Sequence, residues 1–350
     1  MVLKILKITD GKPGHITVSD GVIEGIRKNY AVETIQMNVR LRIKFFSYIL
    51  KFIFNNNWFF KKIILHAWTM TFFYKYDYKP NQQIHLIVST GGDTAFINIW
   101  LANMLDAKNI FCSSLRGIKP EHFSLIVSTL ELHLKNSITL EGAPTKVGTN
   151  DISKDVIKFC KEKSIDKKQK YFVLLIGGDG AGYKYTKEDY GNLVKNFMKL
   201  VLKNGAKGLI TTSRRTGKKN DIFLYEQFSR HDDHIAQSVY FSKTPEKVVA
   251  IYLELASVIF VTEESGSMIT ESLFCKKPVF TLYPRRIKEQ KRYKLFLDDL
   301  RDKKRIVSFA MQDDLSAQNI QNFSFLYLEK TPIDDLAEKI RPFILKLKSK

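Results

Sequence analysis

Nine short apolar runs, each closed by glycine or polar turn residues and followed by a helical pattern, restrict this chain to one fold class. They cover residues 3–8, 31–37, 86–89, 109–112 and 125–128 in the first half, and 172–176, 208–211, 258–261 and 279–282 in the second. Strand and helix alternating in this way build βαβ units, whose parallel sheets are covered on both faces and so read as unbroken apolar runs. A chain of 350 residues is long for one hydrophobic core, so two domains are expected. The two series of runs fall either side of the lysine-rich stretch 161–170, which reads as the linker. The expectation is an α/β protein of two doubly wound domains facing a cleft, residues 1–165 and 166–350. The basic amphipathic tail, 332–350, is expected to pack back across the first domain. Ligands of such domains bind where loops leave the carboxyl ends of the strands.

Four of those loops carry chemistry. Asp10-Gly11-Lys12-Pro13-Gly14-His15 leads from the first strand into the first helix. Glycine permits close backbone approach, and a helix start offers free N–H groups to an anion. His15 there reads two ways: as a base kept neutral by the helix dipole, or as a surface histidine on a capped turn. In Ser89-Thr90-Gly91-Gly92-Asp93-Thr94, Asp93 or Thr94 also serves as a plain N-cap. The glycine-rich loop Ile176-Gly177-Gly178-Asp179-Gly180-Ala181-Gly182 fits neither the phosphate loop nor the dinucleotide fingerprint.

The fourth loop, Thr262-Glu263-Glu264-Ser265-Gly266-Ser267-Met268-Ile269-Thr270-Glu271, places small hydroxylated residues at a helix start and a carboxylate one turn in. That suits a nucleotide: N–H and hydroxyl donors for a diphosphate, and Glu271 to accept hydrogen bonds from ribose hydroxyls. A capping box explains Ser267 and Glu271 less well, because their spacing is four rather than three. Ser213-Arg214-Arg215, at a further strand end, reads as a clamp on a leaving phosphate or as a solvated pair. No Asp-x-Asp occurs, so a metal-held diphosphate is not expected.

Charge adds a partner. Fifty-six basic against thirty-six acidic residues give +20, which implies an anionic surface or ligand. Between residues 39 and 79 there are eight Lys/Arg and one Asp, interleaved with aromatics such as Phe45, Tyr48, Phe52, Trp58, Phe59, Phe60 and Phe72. Phe45 and Ile49, at helical spacing, read as core. The longest uncharged run, 63–74, is too short to span a bilayer, so the stretch is expected to lie on an anionic membrane rather than cross it. The aromatics do not form an RRM, KH or helix-turn-helix pattern, and no nucleic-acid partner is expected. Three scattered cysteines and no cleavage-site pattern point to a reducing compartment without a signal peptide.

With these loops read, the order DGKPGH (10–15), STGG-T (89–94), LLIGG (174–178), TTSRRT (211–216) and ESGSMITES (264–272) resembles one family throughout. That family holds the plant mitochondrial-fission factor and bacterial lipooligosaccharide outer-core glycosyltransferases of GT-B type. More distantly, the chain is similar to the glycosyltransferase that adds N-acetylglucosamine to the peptidoglycan lipid precursor. The likeness implies a GT-B glycosyltransferase acting on a nucleotide-sugar, which is a substrate and not a cofactor, with His15, assisted by Asp10, as base. It places the donor at Gly177, Gly178, Ser213, Arg214, Arg215, Ser265, Gly266, Ser267, Met268 and Glu271, with Glu271 on the ribose. The acceptor, a glycolipid or lipooligosaccharide core, falls to Lys12, Gly14, Gly91, Gly92 and Asp93. Two departures lie on that acceptor side: Gly92-Asp93 replaces the family's basic pair, and Ile16-Thr17 replaces its Asn-Gln-like sequence. Such an enzyme of lipopolysaccharide biosynthesis is expected on the cytoplasmic face of the inner membrane. The same resemblance leaves a non-catalytic, membrane-associated adaptor as the rival.

Overall fold

The computed structural model describes residues 2–56, 67–77, 82–112, 114–145 and 152–348. Trp58, Phe59, Phe60, Lys61, Lys62 and Lys79 lie outside the described residues. The chain divides into two compact units, Met1–Lys146 with Lys330–Lys350, and Val147–Glu329.

The first unit begins β1 (Leu3–Thr9), α1 (Pro13–Arg27), β2 (Val32–Leu41), α2 (Phe46–Asn55), α3 (Ala67–Phe73), β3 (Tyr74–Tyr76) and β4 (Leu86–Thr90). It continues with α4 (Ala95–Met104), β5 (Lys108–Cys112), β6 (Leu125–Ser128) and β7 (Ser137–Thr139). The strands form one sheet in the order β3-β2-β1-β4-β5-β6-β7. All pair in parallel except β3, which runs antiparallel to β2. Alternation along β1 sends Leu3 and Ile5 to the α1 side, where they pack on Val22, Ile23 and Ile26. It sends Leu6 and Ile8 to the other side, against Leu50, Phe54 and Phe96. Lys7 is buried on the α1 side and pairs with Asp20 of that helix at 2.7 Å.

The second unit contains α5 (Ser153–Glu162), β8 (Tyr171–Ile176), β9 (Tyr183–Lys184), α6 (Lys187–Lys203), β10 (Lys207–Thr212), α7 (Lys218–Phe228) and β11 (Ile235–Val239). Then follow α8 (Val249–Leu255), β12 (Ala256–Thr262), α9 (Gly266–Leu273), β13 (Val279–Tyr283), β14 (Arg286–Ile287), α10 (Lys291–Asp302) and β15 (Val307–Ala310). Its sheet runs β11-β10-β8-β12-β13-β15, parallel throughout, with β14 and β9 as a separate antiparallel ribbon. Phe172, Phe197, Phe260 and Phe280 stand at the centre of one continuous core. The chain then returns to the first unit as α11 (Pro332–Lys339) and α12 (Arg341–Lys348). There Leu336, Ile340 and Ile344 close the α1 face. A β-carbon at Gly25 would lie 3.1 Å from Leu336, so glycine lets the two helices approach.

Two expectations need correction. Residues 161–170 are not a linker, and the boundary falls at Lys146/Val147 rather than 165/166. Lys161 and Lys163 close α5, whose Val156, Phe159 and Cys160 enter the second core, and Lys167, Lys168 and Lys170 lie in the turn that follows, which the Tyr171 hydroxyl fixes by donating to the Asp166 carbonyl at 2.8 Å. Phe45 is not core: it precedes α2 as its N-cap residue and stands more than half exposed, whereas Ile49 packs on the first core.

In each sheet, one central strand marks the point where the strand order reverses. β1 lies between β2 and β4, and β8 lies between β10 and β12. Crevices outside the carboxyl ends of such strands are where open α/β sheets bind ligands.

Candidate functional site

At the end of β1, Asp10 forms an Asx-type turn in which its Oδ1 accepts from the Lys12 amide at 3.2 Å. Gly11 takes φ +77°, and Pro13 then opens α1 at a position where its missing N–H costs nothing. This brings His15 back over Asp10. Its Nδ1 lies 2.9 Å from Oδ1 and 3.0 Å from Oδ2. The Asp10 side chain is only 7% exposed. Burial by itself would raise the Asp10 pKa, but hydrogen bonds from Lys12 and His15 and the charge of the imidazole outweigh it and hold the carboxyl below its usual range. An ionised carboxylate only accepts, so the proton of a neutral His15 sits on Nδ1 and its lone pair on Nε2. Among the described residues, no hydrogen-bond partner holds that Nε2.

The loop after β4 supports the pair. Gly91 has φ +99°, and a β-carbon there would lie 2.3 Å from the His15 ring, so no side chain fits beneath the imidazole. Thr94 Oγ1 donates to the Gly91 carbonyl at 2.8 Å, and the Tyr74 hydroxyl donates to the Asp93 carbonyl at 2.6 Å. Lys12 pairs with Asp10 at 2.7 Å and reaches Asp93 at 3.5 Å. Gly92 packs against the Arg116 side chain, a cation that sequence reading missed because it lies outside every glycine-rich loop. Of the acceptor-side residues, Lys12, Gly91, Gly92 and Asp93 thus meet around the His15 loop, while Gly14 has open space where a side chain would go.

The second unit builds its site around two buried glutamates of the fourth loop, which its sequence pattern does not single out. Glu263 Oε1 accepts from the Tyr183 hydroxyl at 3.0 Å and from Arg301 at 2.7 Å, and Oε2 accepts from Thr281 at 2.8 Å. Glu264 Oε1 accepts from the Gly178 amide at 2.8 Å and from Arg215 at 3.2 Å; Oε2 accepts from the Tyr185 hydroxyl at 2.5 Å. The glycine-rich loop is shaped by this. β-Carbons at Gly177 and Gly178 would lie 1.6 Å from Glu264 Oε1 and 2.1 Å from the Arg215 carbonyl. Both glycines admit protein atoms rather than open a phosphate cradle. Thr216 bridges the same loops, its hydroxyl donating to the Gly177 carbonyl and accepting from the Ser213 amide.

Arg215 also donates to Ser265 Oγ at 2.9 Å. Ser265 is the N-cap of α9, yet its hydroxyl makes no capping bond to the helix and serves Arg215 instead. Arg214, next along, is exposed. Gly266 packs on the Tyr293 ring, Ser267 is exposed, and Met268 leans on the second core. Glu271, one turn beyond Ser267 on the same helix face, has no side-chain hydrogen bond among the described residues, and burial pushes its pKa up to about 7. Beside Glu263, a cavity of about 400 Å³ is lined by Tyr183, Tyr293, Lys294, Asp298 and Arg301. Among the described residues, no group of three His, Cys, Asp or Glu side chains is placed to hold a metal ion.

Comparison with known proteins agrees with this architecture. The family described as mitochondrial fission ELM1 matches residues 13–341. A search of curated protein sequences found no match. Among solved structures, the UDP-GlcNAc 2-epimerase of Methanocaldococcus jannaschii is similar with a TM-score of 0.61 at 14% identity, covering 99% of this chain and 100% of that one. The UDP-GlcNAc 2-epimerase of Neisseria meningitidis, bound to UDP-GlcNAc, gives 0.57 at 12%, covering 99% and 100%. A glycosyltransferase of Rickettsia africae gives 0.51 at 11%, covering 98% and 93%. At these identities the likeness establishes the fold, which is GT-B.

Proposed function

The chain belongs to the mitochondrial fission ELM1 family, and on that premise we propose that it is a glycosyltransferase moving a sugar from a nucleotide-sugar to a membrane-associated glycolipid or lipooligosaccharide core. The observation that carries this reading is the Asp10–His15 pair at the reversal point of the first sheet. A buried carboxylate fixes the imidazole and leaves Nε2 as the base, the arrangement that orients a histidine for proton abstraction. Nε2 takes the proton of an acceptor hydroxyl as its oxygen attacks the anomeric carbon and the bond from that carbon to the diphosphate breaks. A direct attack of this kind inverts the anomeric centre.

Donor binding falls to the second unit. Arg215 and the free amides at the start of α9 receive the diphosphate charge. Glu271, a carboxyl without a hydrogen-bond partner among the described residues, accepts from the ribose hydroxyls. The polar cavity beside Glu263, at the lower end of small-molecule pocket sizes, takes the sugar. The comparison proteins named for UDP-GlcNAc support a nucleotide-sugar as the donor class.

A lipid acceptor requires the first unit to reach a membrane. Ile43, Phe45, Tyr48, Phe52 and Phe72 each stand more than half exposed, with Arg40, Arg42, Lys44 and Lys75 exposed among them. No helix among the described residues is long and apolar enough to cross a bilayer. We assign this face to the anionic cytoplasmic leaflet of the inner membrane, where aromatic rings settle at headgroup level.

The test is a thermal-shift panel of UDP-, GDP-, ADP- and CMP-sugars. A donor at a hundred times its Kd stabilises the protein by about 2.7 kcal/mol, a clear rise in Tm. No shift with any of the four classes would reject the reading in favour of a non-catalytic adaptor.

A further inference from the structure

The donors that the proposed function offers to a diphosphate are not free: a side chain of the protein holds part of them. The Glu264 side chain is 0% exposed. It ties together the Gly178 amide, the Arg215 guanidinium and the Tyr185 hydroxyl. Gly177 is glycine because the carboxylate occupies the place of its side chain. The other titratable groups facing Glu264 are Tyr183 of β9, Tyr190 of α6 and Tyr293 of α10, all held as neutral phenols by burial. Tyr185 is neutral for the same reason. The neighbouring Glu263 is matched by Arg301. Arg215 is therefore the cation in contact with Glu264, at 3.2 Å. Burial raises the Glu264 carboxyl above its ordinary range despite these hydrogen bonds.

A diphosphate that engages Arg215 brings further negative charge beside a carboxylate already sharing that guanidinium. Like charges at one site disfavour joint ionisation, and the group able to neutralise is the enclosed carboxyl. We propose that Glu264 is the proton-coupled counter-charge of the donor site: ionised, it holds Arg215 and the glycine loop ready, and it takes up one proton from solvent when a nucleotide-sugar binds. The proton adds to a carboxylate oxygen, no other bond changes, and it leaves when the diphosphate leaves. This rests on the donor reading above, and deepens it.

The experiment is titration calorimetry with UDP-GlcNAc, extended to the other nucleotide-sugars of the panel, in PIPES and in Tris at pH 7.5. A nucleotide-sugar is a diphosphate diester with no phosphate proton to exchange near neutral pH, so any buffer-dependent heat reports the protein. The wild type is expected to take up close to one proton per donor bound. Its Kd should rise about tenfold per pH unit between the free and liganded titrations of the carboxyl. Glu264→Gln should bind without proton uptake and without the rise of Kd with pH; the pH dependence that remains belongs to Glu271, whose carboxyl burial pushes up to about 7, and runs the other way. Tyr185→Phe removes one bond to the ionised carboxylate and should move the pH dependence to higher pH, so it stands in if Glu264→Gln does not fold. Wild-type binding with no buffer dependence, or unchanged uptake in Glu264→Gln, overturns the proposal while leaving the donor reading intact. Failure of every nucleotide-sugar to bind overturns both.

Discussion

His15 Nδ1 lies within 3.0 Å of both carboxylate oxygens of Asp10, a two-point contact that fixes the ring plane as well as the tautomer. Lys12, 2.7 Å from Oδ2, helps to keep the carboxylate ionised. A surface histidine on a capped turn would need none of this. The loop after β4 gives up its side chain at Gly91 to leave room for the ring.

Gly91→Ala tests that arrangement without touching either polar residue. The added methyl meets the imidazole at 2.3 Å in a backbone conformation that disfavours any L side chain. The expected outcome is loss of most turnover with donor affinity unchanged, since the second unit is untouched. Wild-type kcat in a folded Gly91→Ala protein would show that the His15 position does not matter.

Glu271 is predicted to show in stability as well as binding. Its carboxyl is pushed up from 4.5 to about 7. The folded protein therefore holds this proton more tightly than the unfolded chain, and stability is lost as pH rises through that window. Glu271→Gln should match the wild type near pH 4 and exceed it by up to about 3 kcal/mol at pH 8. Glu271→Ala should weaken donor binding by about 1–3 kcal/mol, the loss of charge-assisted bonds to ribose. Denaturant midpoints across pH, with donor Kd, check both.

The two adjacent arginines should separate. Arg215 is anchored by Glu264 and Ser265, so a lysine cannot reproduce its fork, and Arg215→Lys should cost activity at least tenfold. Arg214 is exposed, and Arg214→Lys should be silent. Equal rates in the two variants would place neither at the leaving group.

Membrane docking predicts co-sedimentation with anionic vesicles that fades with salt, because each basic residue near such a leaflet contributes about 1 kcal/mol. Replacing Phe45 and Tyr48 together by Asp should abolish it and leave Tm unchanged, both being exposed. Equal recovery with neutral and anionic vesicles would count against the surface.

Eight of the nine runs were legible because strands covered on both faces must be apolar along their whole length; the ninth, 31–37, forms the largely exposed β2, which carries Glu33 and Gln36 outward. The strands that reading passed over are those without that constraint: β3 and β7 at the edges, the half-buried β11 and β15, and the two-residue strands β9 and β14. The boundary was misplaced because the lysines at the end of α5 and in the turn after it read as a solvated linker, while Val156, Phe159 and Cys160 of α5 pack into the second core. Around the site, His15, Asp10, Arg215 and Ser265 were found through their place on loops after strands. Glu263 and Glu264 are not legible in this way, since paired glutamates read as solvent-facing, yet both are buried. The three-dimensional crowding of Gly177 and the bond from the Gly178 amide show that the Glu264 carboxylate lies against this loop.

The most direct measurement is release of free nucleotide from the nucleotide-sugar that binds, followed by mass spectrometry for the wild type and for His15→Ala. With the base fixed by Asp10, the account predicts that His15→Ala binds the donor as tightly as the wild type and turns it over about 10²–10⁴-fold more slowly. Release at the wild-type rate from His15→Ala, or no release from the wild type with any donor it binds, would contradict it.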